Sequence, residues 1–370
     1  MTRFNLPDVT FADKSAEKIE ADIVTRFEQL SDIKLAPADP RRKFIQAIVS
    51  LLAQQRSLID YSAKMNMLAY SVDDFLDHLG VFTDTERLKA VPAITTVRFH
   101  FSVTQQQTIP AGTRVTAGDG LFFEIKQTVV VQAGQTQVDV QAECMEAGVK
   151  GNGYLPGQIN RLVDPLPWVQ YVENITTSEG GADEESNDAY AERMRQAPES
   201  FSVAGPEGAY IYWARTANSL IVDVSVRSPS PGVVEIRPLL QNGQIPGQEI
   251  LDQVLVACSD RKVRPLTDFV QVLAPETISY DITLTYWIST SDSSVATSIQ
   301  ARVQKAIEEY KLWQKTKLGR DIDPSELITR VKNAGAKRVA VASPVYQAVD
   351  AHQVAVENLV TVTYGGLEDG

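Results

Sequence analysis

Apolar residues recur at two different periods along this chain, and the change of period divides it. From Ala16 to about Asp32, Ile19, Ile23, Phe27 and Leu30 stand three and four positions apart, which predicts one stripe of a short amphipathic helix. Leu35-Ala36-Pro37 breaks the pattern. Asp39 can then cap, and Pro40 open, a second helix running to about Tyr70. Its length is about 30 residues, or about 45 Å at the usual rise per residue. Within it Phe44, Leu51, Leu58 and Met65 repeat every seven positions, and Ile48, Gln55 and Ser62 fill the interleaved places. This is a seam of roughly 3.5-residue period, widened on one side by Ile45, Leu52 and Ile59. A self-contained helical bundle would carry the same seam. Here only one shorter helix precedes it and one short piece, Val72 to Leu79, follows, too little protein to cover so wide a face. The stripe therefore predicts partner helices from other chains, with Gln55 and Ser62 acting on register or partner choice.

Between about Thr95 and Thr177 the period falls to two. TTVRFHFSV, TRVTA, FFEIKQTVVV and TQVDVQAECM alternate, separated by Ile109-Pro110-Ala111-Gly112 and Gln132-Ala133-Gly134-Gln135, which predicts an antiparallel β domain. Pro110 and Gly112 suit a type I turn, and Gly118-Asp119-Gly120 a hairpin between Val115 and Phe122. Beyond Gly180-Gly181 helical and extended patterns interleave. Helices are expected over 186–196, 206–218 and 248–259, with strands over 222–228, 232–240 and 268–274. A strand over 278–289, a long helix from about Val295 to Gln314, a helix opened by Pro324 and strands near 337–341 and 358–364 complete the chain. Two small split α/β sandwiches fit that order.

Composition narrows the function. The 370 residues are 44% hydrophobic and 22% charged, ordinary for globular domains and enough for two or three cores. A net charge of −12 repels a phosphate backbone, so nucleic acid is not an expected partner. The N-terminal residues are polar and no apolar run approaches membrane-spanning length, so the expectation is cytoplasmic synthesis without membrane insertion. Cys144 and Cys258 are far apart and lack metal or disulfide spacing. His78, His100 and His352 share no local metal-ligand spacing, and no nucleophile elbow occurs, so no catalytic set, metal or cofactor is predicted.

The remaining candidates read as structure. Gly148 to Gly153 matches neither phosphate-loop pattern and cannot open a helix, so its glycines are expected at backbone bends. Asp183-Glu184-Glu185 lacks calcium-loop spacing and stands where Asp183 or Ser186 can cap the next helix. Lys311, Lys315, Lys317 and Arg320 read as a solvated face that could meet an acidic neighbour. Asn174-Ile175-Thr176 matches a glycosylation triplet and is set aside, since a chain without a signal never meets the enzyme.

Several segments nevertheless resemble one family. Ala111-Gly112-Thr113 after Ile109-Pro110, Phe123-Glu124, Ala133-Gly134, Gly148 with Gly151-Asn152-Gly153, and Asn174 come first. The block Gly180-Gly181-Ala182-Asp183-Glu184-Glu185-Ser186 follows, then Asp188-Ala189-Tyr190 with Arg193 and Arg195. Ala204-Gly205-Pro206 precedes Ala209-Tyr210, and Val263-Arg264-Pro265-Leu266-Thr267-Asp268 closes the set. Together they resemble the baseplate J-like family over roughly residues 70–290; the tail from about Thr290 matches no quotable motif.

The resemblance implies a structural wedge protein of a contractile phage tail or tail-like particle. It would be assembled in the host cytoplasm and present in several copies, joining a smaller wedge protein and a sheath-proximal protein around the hub. It also implies a helix in an intermolecular bundle, contacts between copies through the later domains, and a packing switch that releases sheath contraction. Matched to this chain, Pro40–Tyr70 is the bundle helix and the region after Ser186 meets neighbouring copies.

The expected architecture is α+β and multidomain. It comprises an N-terminal helical region (1–90), an antiparallel β domain (91–179), an α/β domain (180–275) and a C-terminal α/β domain (276–370). A cell-wall-degrading tail enzyme, which needs paired carboxylates, and a receptor-binding tail protein are the alternatives.

Overall fold

The computed structural model describes residues 3–201, 205–261 and 263–369. Ala204, one of the residues carrying the resemblance, lies outside them. Contacts divide the chain into two compact units, one of Met1–Arg87 with Ser186–Arg195 and one of Leu88–Glu185 with Gln196–Gly370.

In the first unit α1 spans Ala16–Ser31 and α2 Pro40–Lys64. Asp39 caps α2 and Pro40 opens it, as the residues predict, and Ser15 caps α1. Ile19 and Val24 of α1 pack on Ile45 and Val49 of α2 with Leu35 from the connection, and Leu52 joins their edge. Leu30, expected on the α1 stripe, points away and is exposed. α2 stops at Lys64, short of the expected Tyr70, because the Asn66 side-chain amide takes the Ser62 carbonyl (2.8 Å) and the chain turns. A short helix, α3 (Asp73–Gly80), and a helix within the other segment, α4 (Asn187–Gln196), form a second small core of Leu76, Tyr190, Ala191 and Met194. The Tyr190 hydroxyl donates to the Thr85 carbonyl (2.6 Å), and the Arg193 guanidinium donates to the Glu86 carbonyl. Ser186–Arg195 thus groups with the N-terminal residues, although sequence order suggests that it opens the α/β region.

The second unit begins with a nearly closed antiparallel barrel. Its strands are β1 (Pro92–Phe101), β2 (Gln107–Ile109), β3 (Arg114–Thr116), β4 (Phe123–Ile125), β5 (Val129–Val131), β6 (Gln137–Ala147), β7 (Arg161–Leu162) and β8 (Val169–Asn174). Six pair in the order β7-β3-β4-β6-β1-β8, and β2 pairs with β5 separately. Alternate side chains of β1 are buried along its whole length, so the two-residue period reports the inward face. Val97, Phe99, Ile109, Val115, Phe123, Ile125 and Val131 fill the interior. The alternating stretch 122–131, read as one strand, is two strands in different sheets, divided at Lys126-Gln127-Thr128. The turn at 110–113 also differs from the type I expectation. Thr113 donates to the Pro110 carbonyl (3.3 Å) and Gly112 is the third residue at φ +88°, the positive φ that a type II turn requires.

Two α/β layers follow. α5 (Glu207–Ala217), β9 (Ile221–Ser230), β10 (Val233–Leu240), α6 (Gln248–Ser259) and β11 (Phe269–Val272) build a sheet ordered β11-β10-β9 around Tyr210, Ile236, Ile250 and Val254. β12 (Glu276–Ser289), α7 (Ala296–Lys315), α8 (Pro324–Asn333), β13 (Arg338–Ser343) and β14 (Gln353–Glu368) build the second, ordered β13-β12-β14. Its core of Ile282, Leu284, Ile288, Val303, Ile307 and Leu327 lies between sheet and helices. The fold is α+β and multidomain, with split α/β sandwiches after a β barrel.

Candidate assembly surfaces

α2 is amphipathic twice over. The flank residues Ile45 and Val49 face α1, which leaves most of the seven-residue seam open: Phe44 (70% exposed), Leu51 (61%) and Leu58 (63%) stand in solvent with Ile48 and Ile59. Gln55 and Ser62 lie exposed in the same row, and Leu52 is half-buried at its edge. Met65 is different. It follows the last helical residue and is buried in its own unit, so it leaves the predicted seam, which ends at Ser62. Periodicity missed other exposed apolar residues of this unit. Tyr61 meets Phe75 of α3 edge-on at 6.2 Å, both half-exposed, and Val81 and Phe82 just after α3 are exposed by 78% and 86%. The adjacency of Val81 and Phe82 beyond a helix end, with no stripe to bury them, was the available signal.

The face opposite the seam is fixed by charge. Buried Asp60 accepts from the Phe11 amide (2.8 Å) and lies 3.3 Å from both Lys14 and Lys64, which straps the N-terminal segment to α2. The Phe11 amide, helped by the two lysines, holds its carboxyl below the usual range despite burial. At the other end the Arg41 guanidinium and amide hold the Asp39 carboxyl down to about 2.

In the second unit the motif residues converge at one junction. The segment 178–183 runs antiparallel to the start of β1: Val91 and Ala182 exchange two backbone bonds (2.8 and 3.0 Å), as do Ile94 and Glu179 (2.8 and 3.0 Å). Asn152 grips this segment with both ends of its amide, donating to the Gly181 carbonyl (2.7 Å) and accepting from its N–H (2.9 Å). Gly153 donates to the Ser178 carbonyl (2.8 Å). Gly151 and Gly181 are glycines for lack of room. A Cβ on Gly181 would stand 2.5 Å from the Gly148 carbonyl, and one on Gly151 2.8 Å from the Cys144 sulfur. Gly180, at φ +85°, turns the chain so that its carbonyl meets Asn218, and Glu179 accepts from the Glu249 amide at the start of α6 (3.0 Å). The segment thus fastens the barrel to the first α/β layer.

The acidic block divides its work. Asp183 accepts from the Val149 amide (3.1 Å), buried Glu185 from the Leu88 amide (3.1 Å), and Ser186 from the Ala189 amide (3.3 Å) as the cap of α4. Of the two capping candidates, Ser186 is the one used. The other motif is also a brace: Arg264 donates to the carbonyls of Ser259 (3.1 Å), Pro265 (3.1 Å) and Asp268 (2.7 Å). Gly205, at φ +77°, passes so close to Pro265 that a Cβ would stand 2.9 Å from its ring, and Pro206 leads directly into α5.

Several other chemistry-bearing residues are occupied structurally. Asn174 is buried, accepting from the Ile159 amide (2.8 Å) and donating to the Thr176 carbonyl (2.8 Å). Lys311 and Lys315 each lie 3.6 Å from Glu357, and Arg320 stacks on Trp313. Both thiols are buried, and desolvation pushes Cys258 up to about 12. Among the described residues no group of three His, Cys, Asp or Glu side chains is arranged to hold a metal, and no helix is long and apolar enough to cross a membrane.

Three family models match in chain order: the Baseplate J-like protein barrel domain over residues 96–181, the Baseplate J-like central domain over 202–274 and the Baseplate J-like protein C-terminal domain over 280–363. The chain belongs to the baseplate J-like family. The third match takes in much of the tail that carries no quotable motif. Gly112, Gly151, Asn152, Gly153, Gly180 and Gly181 fall in the barrel match, and Gly205, Pro206, Arg264 and Pro265 in the central one. The α2 stripe of this baseplate J-like chain lies outside all three.

Baseplate protein J of Escherichia phage P2 is 35% identical over 161 residues, 43% of this chain and 52% of its own length. The match thus spans about half of that relative. A chain in the cryo-EM structure of the anti-feeding prophage baseplate aligns over 92% of this chain and 90% of its own length, at 11% identity and a TM-score of 0.38.

Proposed function

We propose that this chain is a structural component of the baseplate of a contractile phage tail or tail-like particle. In this reading it is a wedge protein whose α2 stripe is sealed by helices of other chains. The observation that carries the reading is the row Phe44, Ile48, Leu51, Leu58 and Ile59, left open on a helix whose opposite face is already packed. A contiguous apolar strip of this kind marks an interface more often than a free surface. Half-buried Leu52 would form its rim, and Gln55 and Ser62 would set register within it. Additional copies of the chain, a smaller wedge protein and a sheath-proximal protein are the proposed partners.

The junction residues Asn152, Gly151, Gly153, Gly180, Gly181, Asp183 and Glu185 serve the same role by transmitting load between barrel and α/β layer. Ser186 caps α4, and Gly112, Gly205, Pro206, Arg264 and Pro265 hold turns in shape. The reading is non-catalytic. Asp60, Asp119, Asp139, Glu235 and Glu276 are each displaced downward, opposite to what a general acid needs. The switch that releases contraction would act through repacking of these contacts between copies.

Replacing both Leu51 and Leu58 with Asp tests the reading. The side chains are exposed, so the melting temperature of the isolated chain should hold. Particles from cells carrying only this variant should lack complete baseplates by electron microscopy, and normal particles would overturn the assignment.

A further inference from the structure

Asparagine followed by glycine is the sequence in which a backbone nitrogen most readily attacks a side-chain amide, because glycine leaves that nitrogen unshielded and its own φ unrestricted. The chain contains two such pairs, Asn152-Gly153 and Asn242-Gly243. The fold treats them in opposite ways. At the junction the Asn152 carboxamide is held at both ends by the Gly181 peptide (2.7 and 2.9 Å), and the Gly153 nitrogen that would attack it donates to the Ser178 carbonyl (2.8 Å). Each of these bonds must break before a ring can close at Asn152.

Asn242 is exposed in the turn between β10 and α6, at φ +57°, and among the described residues its carboxamide makes no hydrogen bond. Ring closure turns the peptide between Asn242 and Gly243 while leaving their Cα atoms nearly in place. The compensating change of φ falls on Gly243, which accepts it at little cost. We propose that Asn242 is a site of spontaneous deamidation, and that the junction protects Asn152 from the same reaction. The Gly243 nitrogen bonds to Cγ of Asn242, the Cγ–Nδ2 bond breaks, and Nδ2 leaves as ammonia with the proton of the Gly243 amide. Water then opens the succinimide at either carbonyl, giving aspartate or isoaspartate. Both products add a negative charge, and isoaspartate also lengthens the main chain by a methylene.

The position gives the reaction a consequence. Gly243 abuts the last residue of α7, where a Cβ on it would stand 2.5 Å from the Lys315 carbonyl. A turn of the first α/β layer is thereby seated on a helix end of the second, and the longer main chain of isoaspartate unseats it. Deamidation at Asn242 therefore loosens the contact between the two layers as the protein ages.

The full chain is incubated in mildly alkaline buffer, folded and in urea, and its proteolytic peptides are followed by mass spectrometry. In urea both asparagines should convert at similar rates. In the folded chain Asn242 should convert at least about tenfold faster than Asn152, whose hydrogen bonds must break first. Asn242 unconverted in the folded chain, or converting no faster than Asn152, overturns the proposal. Amide exchange over the last turn of α7 should rise with age in the unaltered chain and stay constant in Asn242→Gln, whose longer side chain closes a ring far more slowly. Equal exchange in the two aged chains contradicts the loosening.

Discussion

Gly181 and Gly112 are both glycines of the family motifs, for different reasons. At Gly181 the limit is space, since a methyl group would stand 2.5 Å from the Gly148 carbonyl and 2.9 Å from the Ala93 nitrogen. At Gly112 space is open and the limit is φ +88°. Gly181→Ala should therefore cost about 1–3 kcal/mol, as overpacking does, and Gly112→Ala about 1 kcal/mol for the backbone conformation alone. Asn152→Ala strips both partners from the Gly181 peptide and should cost about 1–3 kcal/mol. Thermal unfolding checks the order. If Gly112→Ala lowers the melting temperature as much as Gly181→Ala, the close approach is not what selects glycine at the junction. The sequence marked these positions as motif residues and backbone bends. It could not show that Asn152 and Gly181, 29 positions apart, hold each other, because that pairing depends on how the barrel closes.

At the scale of elements, α2 is held at both ends by carboxylates that must stay ionised. Asp39 titrates at about 2, against about 3.9 for an unperturbed aspartate, and Asp60 is also displaced downward. A folded value below the unfolded one means that stabilisation is complete above about pH 4 and is lost as pH falls through the folded value. Acidification from about pH 5 to about pH 2 should release the Phe11 amide and the first turn of α2. Hydrogen exchange at Phe11 and Arg41 measures this, and unchanged protection at the lower pH would show that neither carboxylate holds the helix.

The helices and the antiparallel β domain were legible because burial on one face imposes a period, as Ile19 with Ile45 and the alternation of β1 show, whereas closure into a barrel was not. Three further features were not legible. α2 ends where a side chain, Asn66, satisfies a carbonyl that periodicity ignores. Residues 122–131 split between sheets although their alternation reads as one strand, because the chain passes from one sheet to the other at the polar Lys126-Gln127-Thr128 inside it. α4 packs with α3, a long-range choice made by the Tyr190–Thr85 bond and the core around Leu76.

For the whole molecule, the family models cover the barrel and the two α/β layers but not α2, so the place of α2 in the proposed function rests on its open apolar row and on the bundle helix that the resemblance implies. Such a surface should drive self-association. The isolated chain should scatter light as an oligomer at high concentration, and Leu51→Asp with Leu58→Asp should reduce its size.

The most direct test of the central claim compares one thiol in two settings. With both native cysteines buried, Leu58→Cys should label rapidly with a maleimide in the isolated chain under dilute conditions and resist labelling in assembled particles. Equal labelling in both would mean that no neighbouring chain seals α2, and the account would be wrong.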